Sequence, residues 1–427
     1  MSSQLPPPDV AEPEVATVTW QQWKWSALAG MASYLDAGSI VALGAGLALF
    51  QSRFHLNSGA VGALTAIGPN AIGCALGAFV GGRLGDKLGR KRIYQYDLLV
   101  YAAGVLLIAL AANMAMLFTG TFIVGLAVGA DVPTSFALIG ELAPAKARGK
   151  LLGFTQVAWY LGPAIVLWLA LLLAPLGMTG IRIIFLHLFV VALVTWALRR
   201  GLAESARWVS ASNSARRGVR TLFSGANLRA LVWTAVIYLF WNLAAGTAGI
   251  FTPYFIETLH AGGQAESVGM YSSAFVIGMI VIAAVFMPLS DRNYATRKWL
   301  WGIGAIMQIV AYGMLLVLPF TVPVIVANIV LFAAGGSLAG EAFYKVFSQE
   351  LFPTLLRGTA QGITFGVART LLGIWSFFVP VLAKAGIGPV AALLTLFLII
   401  SGGTGFFFMP DTSGKTLEQI ESERGKT

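Results

Sequence analysis

The sequence predicts an all-α membrane protein: twelve transmembrane helices in two pseudo-symmetric six-helix bundles. Three observations lead there. The 427-residue chain is 57% apolar and only 11% charged, against about 25% charged residues in a soluble domain. It breaks into twelve apolar runs of about 20 residues, the length that crosses a bilayer. A polar phrase also recurs. Glu141-Leu-Ala-Pro-Ala-Lys-Ala-Arg-Gly149 and Glu350-Leu-Phe-Pro-Thr-Leu-Leu-Arg-Gly358 stand 209 positions apart, each closing an apolar run. Such a repeat inside a membrane chain marks two homologous halves, the architecture of a secondary transporter.

The runs fall near 25–50, 58–82, 93–113, 115–140, 151–174, 181–199, 228–256, 268–290, 298–318, 322–349, 358–384 and 387–409. They organise the chain as a disordered cytoplasmic tail (1–24), a first bundle (25–199), a cytoplasmic linker (200–227), a second bundle (228–409) and a cytoplasmic tail (410–427). The first 20 residues lack the basic start of a signal peptide. With both termini inside, 23 of the 28 Lys and Arg face the cytoplasm. Arg53, Arg182 and Lys384 lie outside, and Lys345 and Arg369 lie within spans. That bias sets the orientation. It also accounts for the net charge of +10: the basic residues face anionic headgroups, not nucleic acid. Trp20, Trp23 and Trp25 form an interfacial anchor at the start of the first span. The single Cys74 rules out a disulfide framework or a Cys-based metal site. His55, His187 and His260 have no ligand spacing, so no metal is expected.

The segment after the second span, Gly81 to Arg92, reads G-G-R-L-G-D-K-L-G-R-K-R. It is read as a tight charged loop in which glycines permit a sharp turn and Asp86 caps or pairs with basic groups. A weaker echo after the eighth span carries Asp291, Arg292, Arg297 and Lys298. The bland alternative, a merely topogenic loop, is weakened by that recurrence.

On these residues the chain resembles the major facilitator superfamily, and within it the sugar porter group. The segment holding Gly82, Arg83, Gly85, Asp86, Gly89, Arg90 and Lys91 is similar to the superfamily's signature loop. The two Glu…Arg-Gly phrases, with Glu141, Arg148, Glu350 and Arg357, match signatures after the fourth and tenth spans. Leu202-Ala-Glu-Ser-Ala-Arg-Trp208, with Glu204 and Arg207, resembles the signature after the sixth, with Ala203 where Pro is usual. Pro410 to Glu418 resembles the one after the twelfth. The resemblance implies two bundles around a central cavity that opens alternately to each side. It also implies a sugar-binding role for Gln156, eight residues past Arg148. The seventh span departs from the group, with Phe240, Trp241 and Asn242 where a Gln pair and Asn are usual. The tenth has Gly340-Glu341 in place of a cavity Trp. The fourth has Thr121 where proton-coupled members carry Arg, but gains Asp131, in a stretch similar to organic-acid and phosphate symporters.

Charges within hydrocarbon are costly and kept for a reason. By helical rise, Asp36 lies about 16 Å into the first span, Asp131 about 15 Å above Glu141, and Glu341 about 14 Å above Glu350. Three carboxylates at one depth suggest a shared cavity. Asp36 is the first choice for a protonatable carboxylate and Asp131 the second. Gln156, Trp241, Asn242, Glu341, Lys345 and Arg369 are the candidate substrate contacts. Glu341 and Lys345, at i and i+4, read equally as a structural ion pair, and Arg369 equally as a bridge between helices or a partner of a carboxylate from the other half. Asp97 is assigned to the gate beside the basic loop. Glu141, Arg148, Glu350 and Arg357 read as ion pairs between the halves that hold the inward side shut.

The expectation is therefore a monomeric proton symporter of a sugar, polyol or small organic acid, in a bacterial inner membrane, with no cofactor beyond the proton. An uncoupled facilitator, an efflux carrier and a transporter-like nutrient sensor are the alternatives. No nucleotide-binding phosphate loop supports ATP-driven pumping, and no nucleophile–base constellation supports an enzyme.

Overall fold

The computed structural model describes residues 18–201, 204–212, 218–258 and 264–425. The N-terminal tail before Val18, Leu202, Ala203, Arg216 and Arg217 of the linker, and His260 lie outside them. No strand occurs among the described residues. Among the described residues, twelve helices are long and apolar enough to cross a membrane: Trp20–Phe54, Gly59–Leu88, Arg90–Ala109, Met114–Leu142, Ala145–Leu176, Met178–Arg199, Gly225–Gly249, Gly269–Leu289, Tyr294–Leu316, Val322–Glu350, Thr354–Ala383 and Ile387–Phe407. They are numbered first to twelfth span below.

Local chemistry sets the ends. The first span opens on a capping box. Thr19 Oγ1 accepts from the Gln22 amide at 3.2 Å, and Gln22 Oε1 accepts from the Thr19 amide at 2.9 Å. Its last turn closes on His55 in the left-handed region (φ 52°). The charged segment from Gly81 to Arg92, expected as a loop, is helical on both sides of Gly89. That residue alone turns the chain, at φ 102°, where a side chain would be strained. The turn is tight because Gly89 separates two helices rather than two loop strands.

Two spans are broken near their middle. The second is helical over Ser58–Ile67 and Ile72–Leu88, with Gly68-Pro69-Asn70-Ala71 between. Pro69 has no amide to donate and disfavours a helical residue before it. The tenth runs Val322–Leu338 and Glu341–Glu350, and Trp241 packs against Gly340 at the break. Discontinuous membrane helices expose backbone and helix ends at mid-membrane, where binding sites are built.

Packing repeats between halves. The first span packs on the fifth and sixth, the second on the fourth, and the third on the fourth and sixth. The seventh likewise packs on the eleventh and twelfth, the eighth on the tenth, and the ninth on the tenth and twelfth. Two seams join the halves: second span against eleventh, and fifth against eighth. At the basic end of the first seam, Gly82 meets the backbone of Gly358 and Gly362 with no room for a side chain.

Gly82→Val should wedge that end apart. Overpacking typically costs about 1–3 kcal/mol, enough to change an open population about tenfold. Ala360, buried beside the seam, replaced by Cys, should then react with a water-soluble thiol reagent about tenfold faster in the Gly82→Val background. An unchanged rate would mean the seam does not close this end.

Candidate functional site

At the centre, the broken spans and their neighbours bring charged groups of both halves together. Glu341 opens the lower half-helix of the tenth span and Lys345 lies one turn on, 3.7 Å away. Lys345 Nζ also donates to Gln156 Oε1 of the fifth span at 2.5 Å and sits 4.4 Å from the Phe136 ring, so it ties the halves. Arg369 Nη1 of the eleventh span donates to Asn70 Oδ1, in the break of the second, at 2.9 Å. Its guanidinium lies 4.8 Å from the Phe365 ring. Asp36, 4% exposed, feels Arg369, Glu341 and Lys345. The Tyr160 hydroxyl of the fifth span meets Ser337 Oγ of the tenth at 3.1 Å. Tyr238 stacks on Tyr344 at 3.9 Å between centroids.

Two acids, Asp36 and Glu341, thus face two bases, Lys345 and Arg369. Buried charge is tolerated when balanced in this way. Several polar atoms have no hydrogen-bond partner within the protein: Asp36 Oδ1, Trp159 Nε1, Trp241 Nε1, Asn242 Oδ1 and Arg369 Nε. They comprise both donors and acceptors. Trp159 is close enough to act on Asp36, but neither atom has a partner of hydrogen-bonding geometry.

The basic end is closed by a two-fold network. In the first half Arg90 Nη2 lies 3.0 Å from both Asp86 and Glu141. In the second, Arg297 lies 3.2 Å from Asp291 and 2.9 Å from Glu350. Each glutamate also takes an arginine from the other half: Glu141 with Arg357 at 3.0 Å, Glu350 with Arg148 at 3.2 Å. Each aspartate accepts from the amides that follow the other half's arginine. Asp86 takes Gly358 and Thr359 at 3.1 and 2.6 Å, and Asp291 takes Gly149 and Lys150 at 2.9 and 2.8 Å. Carboxylates at helix N-termini are favoured by the exposed amides and the helix dipole. Burial pushes the Asp291 carboxyl above its ordinary range, against the pull of Arg297 and those two amides.

The linker and C-terminal tail cover this network. Glu204 accepts from the amides of Arg90 and Lys91 at 3.2 and 3.1 Å. Arg207 donates to the Glu141 carbonyl and pairs with Glu418 at 2.8 Å. Trp208 Nε1 donates to the Asp86 carbonyl at 3.0 Å, and the Gly85 carbonyl accepts from Arg90 at 2.9 Å. Arg83 and Arg292 are exposed.

Two expectations need correction. Asp131 does not join the central charges: its carboxylate pairs with Arg199 at 3.2 Å, because it points toward the third and sixth spans. Asp97 belongs to the same cluster, 3.7 Å from that nitrogen of Arg199, and not to the gate. Of the two readings open for Arg369, the bridge between helices is the one seen, to Asn70 of the other half. His187 is also engaged, 2.6 Å from the Tyr34 hydroxyl. Sequence reasoning missed Asn70, Trp159 and Arg199. Gly68-Pro69-Asn70, a turn signal inside an apolar run, could have found the first. Among the described residues no group of His, Cys, Asp and Glu could hold a metal ion.

Residues 26–380 match the profile described as the Major Facilitator Superfamily. The minor myo-inositol transporter IolF of Bacillus subtilis is 38% identical over 409 residues, covering 92% of each chain. The glucose transporter GlcP of Staphylococcus epidermidis is 26% identical over 391 residues, covering 82% of this chain and 86% of that one. Among solved structures, the proton:xylose symporter XylE superposes with a TM-score of 0.81 at 19% identity, over 94% of this chain and 98% of that one, a likeness of fold.

Glu350→Gln should be the most damaging single change at the closed end. It leaves Arg148 and Arg297 facing a neutral amide, and removing one partner of a buried pair typically costs about 3–5 kcal/mol. Part of that loss should appear as a lower unfolding temperature in detergent. The rest should appear as a shift toward the conformer open at the basic end, read by labelling of Ala360→Cys. An unfolding temperature and a labelling rate both equal to those of the parent would contradict this.

Proposed function

The chain belongs to the Major Facilitator Superfamily, and on that premise we propose that it carries a neutral cyclic polyol of the inositol class together with a proton, by alternating access. It is an integral membrane transporter with sugar-transporter-like relatives, not an enzyme. The observation that carries the substrate reading is the centre. Its acids and bases balance, and its free polar atoms include both donors and acceptors. A ring of hydroxyls both donates and accepts, so it answers that mixture without adding charge. The relative named for myo-inositol supports the same class. A carboxylate cargo is disfavoured because Lys345 is already held by Glu341 and Gln156, and Arg369 by Asn70.

Asp36 is the proposed coupling acid. It faces the centre and keeps one carboxylate oxygen without a protein partner, so protonation there changes the charge felt by Lys345 and Arg369. Binding of proton and cargo together restores the balance and favours reorientation. The basic end, closed in this structure, is proposed as cytoplasmic, with both termini on that side and with uptake driven by an inward proton gradient. One chain contributes both halves of the centre, which supports action as a monomer. Gln156, Trp159, Trp241 and Asn242 are the proposed polyol contacts. Glu341 and Lys345 set the position of Gln156.

The reading is tested with purified protein in liposomes. Labelled myo-inositol should accumulate under an inward proton gradient, and benzoate should not compete. Asp36→Asn should abolish accumulation, since an amide cannot cycle a proton. Gln156→Ala should raise the apparent KM about tenfold, the worth of one good hydrogen bond at roughly 1–1.5 kcal/mol. Normal accumulation by Asp36→Asn would remove that residue from coupling, and competition by benzoate but not by glucose would overturn the polyol class.

A further inference from the structure

We propose that Asp97 and Asp131, gathered around Arg199, form a second proton-holding site inside the first half, joined to Asp36 by a void that takes one water. The proposal rests on the coupling reading of Asp36 and extends it toward the basic end.

The cluster is unbalanced. Asp97 Oδ1 and Asp131 Oδ1 lie 3.7 and 3.2 Å from the same nitrogen of Arg199, and the two carboxylates are within hydrogen-bonding reach of each other. One guanidinium faces two carboxyls. The remaining donors of Arg199 go to backbone: Leu28 O at 3.2 and 2.9 Å, and Tyr94 O at 3.2 Å. The Tyr94 ring covers the guanidinium at 3.5 Å. The titratable and charged groups that face the pair are Asp36 of the first span, Tyr94 and Tyr101 of the third, and Arg199 of the sixth. No second cation is among them. Like charges this close in a dry site do not both ionise; one carboxyl keeps a proton and shares it with the other.

The connection is geometric. A void of about 10 Å³, measured to the centre of a water-sized sphere, is lined by Asp36, Asp97, Asp131 and Tyr101, with apolar side chains around them. That is room for about one water. Asp36 Oδ1 and Asp97 Oδ2 are both buried and without a protein partner. A water between them has two acceptors to bond. Arg199 ends the sixth span at the basic end, so the pair lies between the central acid and that face.

The relay balances as proton transfers alone. When the basic end opens, the pair releases its shared proton to solvent. The Asp36 O–H then gives its proton to the water, and the water passes one of its own to Asp97 Oδ2. Asp36 is left ionised, the pair is reloaded, and no bond other than O–H forms or breaks. A metal cation in place of the proton is disfavoured, because among the described residues no three His, Cys, Asp or Glu side chains gather to ligate one.

Asp97→Asn is the informative variant, because it keeps the Asp131–Arg199 ion pair and mimics the protonated carboxyl, so the protein should fold. Full-length protein is placed in liposomes holding a pH dye, with myo-inositol as the probe. For one proton per solute, a gradient of about one pH unit sustains about tenfold accumulation. The parent should reach it, Asp97→Asn should fall toward equal concentrations while exchange at equal pH remains measurable, and Asp97→Glu should restore part of the gradient. Tenfold accumulation by Asp97→Asn would overturn the relay and leave coupling at Asp36 standing. Net myo-inositol uptake by the parent without any proton uptake would overturn the coupling reading and the relay with it. A second measurement needs no cargo: at neutral pH the infrared spectrum of the parent should hold a protonated-carboxyl band that Asp97→Asn lacks. An identical band in both would mean that the pair holds no proton.

Discussion

The structure depends on eight buried charges at one end of the bundle. Asp86, Arg90, Glu141 and Arg148 come from the first half, and Asp291, Arg297, Glu350 and Arg357 from the second. The network sums to zero charge and is nearly two-fold: every glutamate holds one arginine of its own half and one of the other. Such a network is a poor source of net stability, because desolvation offsets much of the attraction. Its value is that it has two acceptable states. Closed, the groups satisfy one another. Open, water satisfies them. Replacing them with apolar side chains would make the closed state permanent. The linker and C-terminal helix, through Glu204, Arg207 and Glu418, add a second layer that must also part.

The centre is built on the opposite logic. Its charges are buried in this structure, so they balance locally, and Lys345 and Arg369 reach between the halves to side chains of the first. Any group that enters between the halves competes for those bonds. That links occupation of the centre to the relative position of the halves without a long pathway. The breaks in the second and tenth spans make this possible. An unbroken helix would carry neither Asn70 nor Glu341 at a helix terminus in mid-membrane.

Much of this was legible in the sequence, for identifiable reasons. The 209-residue repeat of Glu…Arg-Gly located both glutamates and both cross-half arginines, because a duplicated polar phrase survives in hydrocarbon only where its charges meet. Apolar run lengths located all twelve spans. Which span carries each of Asp36, Asp131 and Glu341 was legible too. Azimuth was not. Asp131 points toward Arg199, a residue the sequence reading did not single out. Asp97 was drawn by sequence proximity to the basic segment, whereas its helix turns it inward. Asn70 was hidden because hydropathy averages over the Gly-Pro-Asn break.

The central claim is that one network closes one end and that proton and cargo together release it. Distances between spin labels at Lys87 and Arg292, both exposed at the basic end and in different halves, test it directly. The buried native Cys74 would not compete for label. Two distance populations are expected, a short one corresponding to the closed arrangement and a longer one, with myo-inositol and acid together moving weight to the longer. A single distance, unchanged by pH and by myo-inositol, would contradict the account.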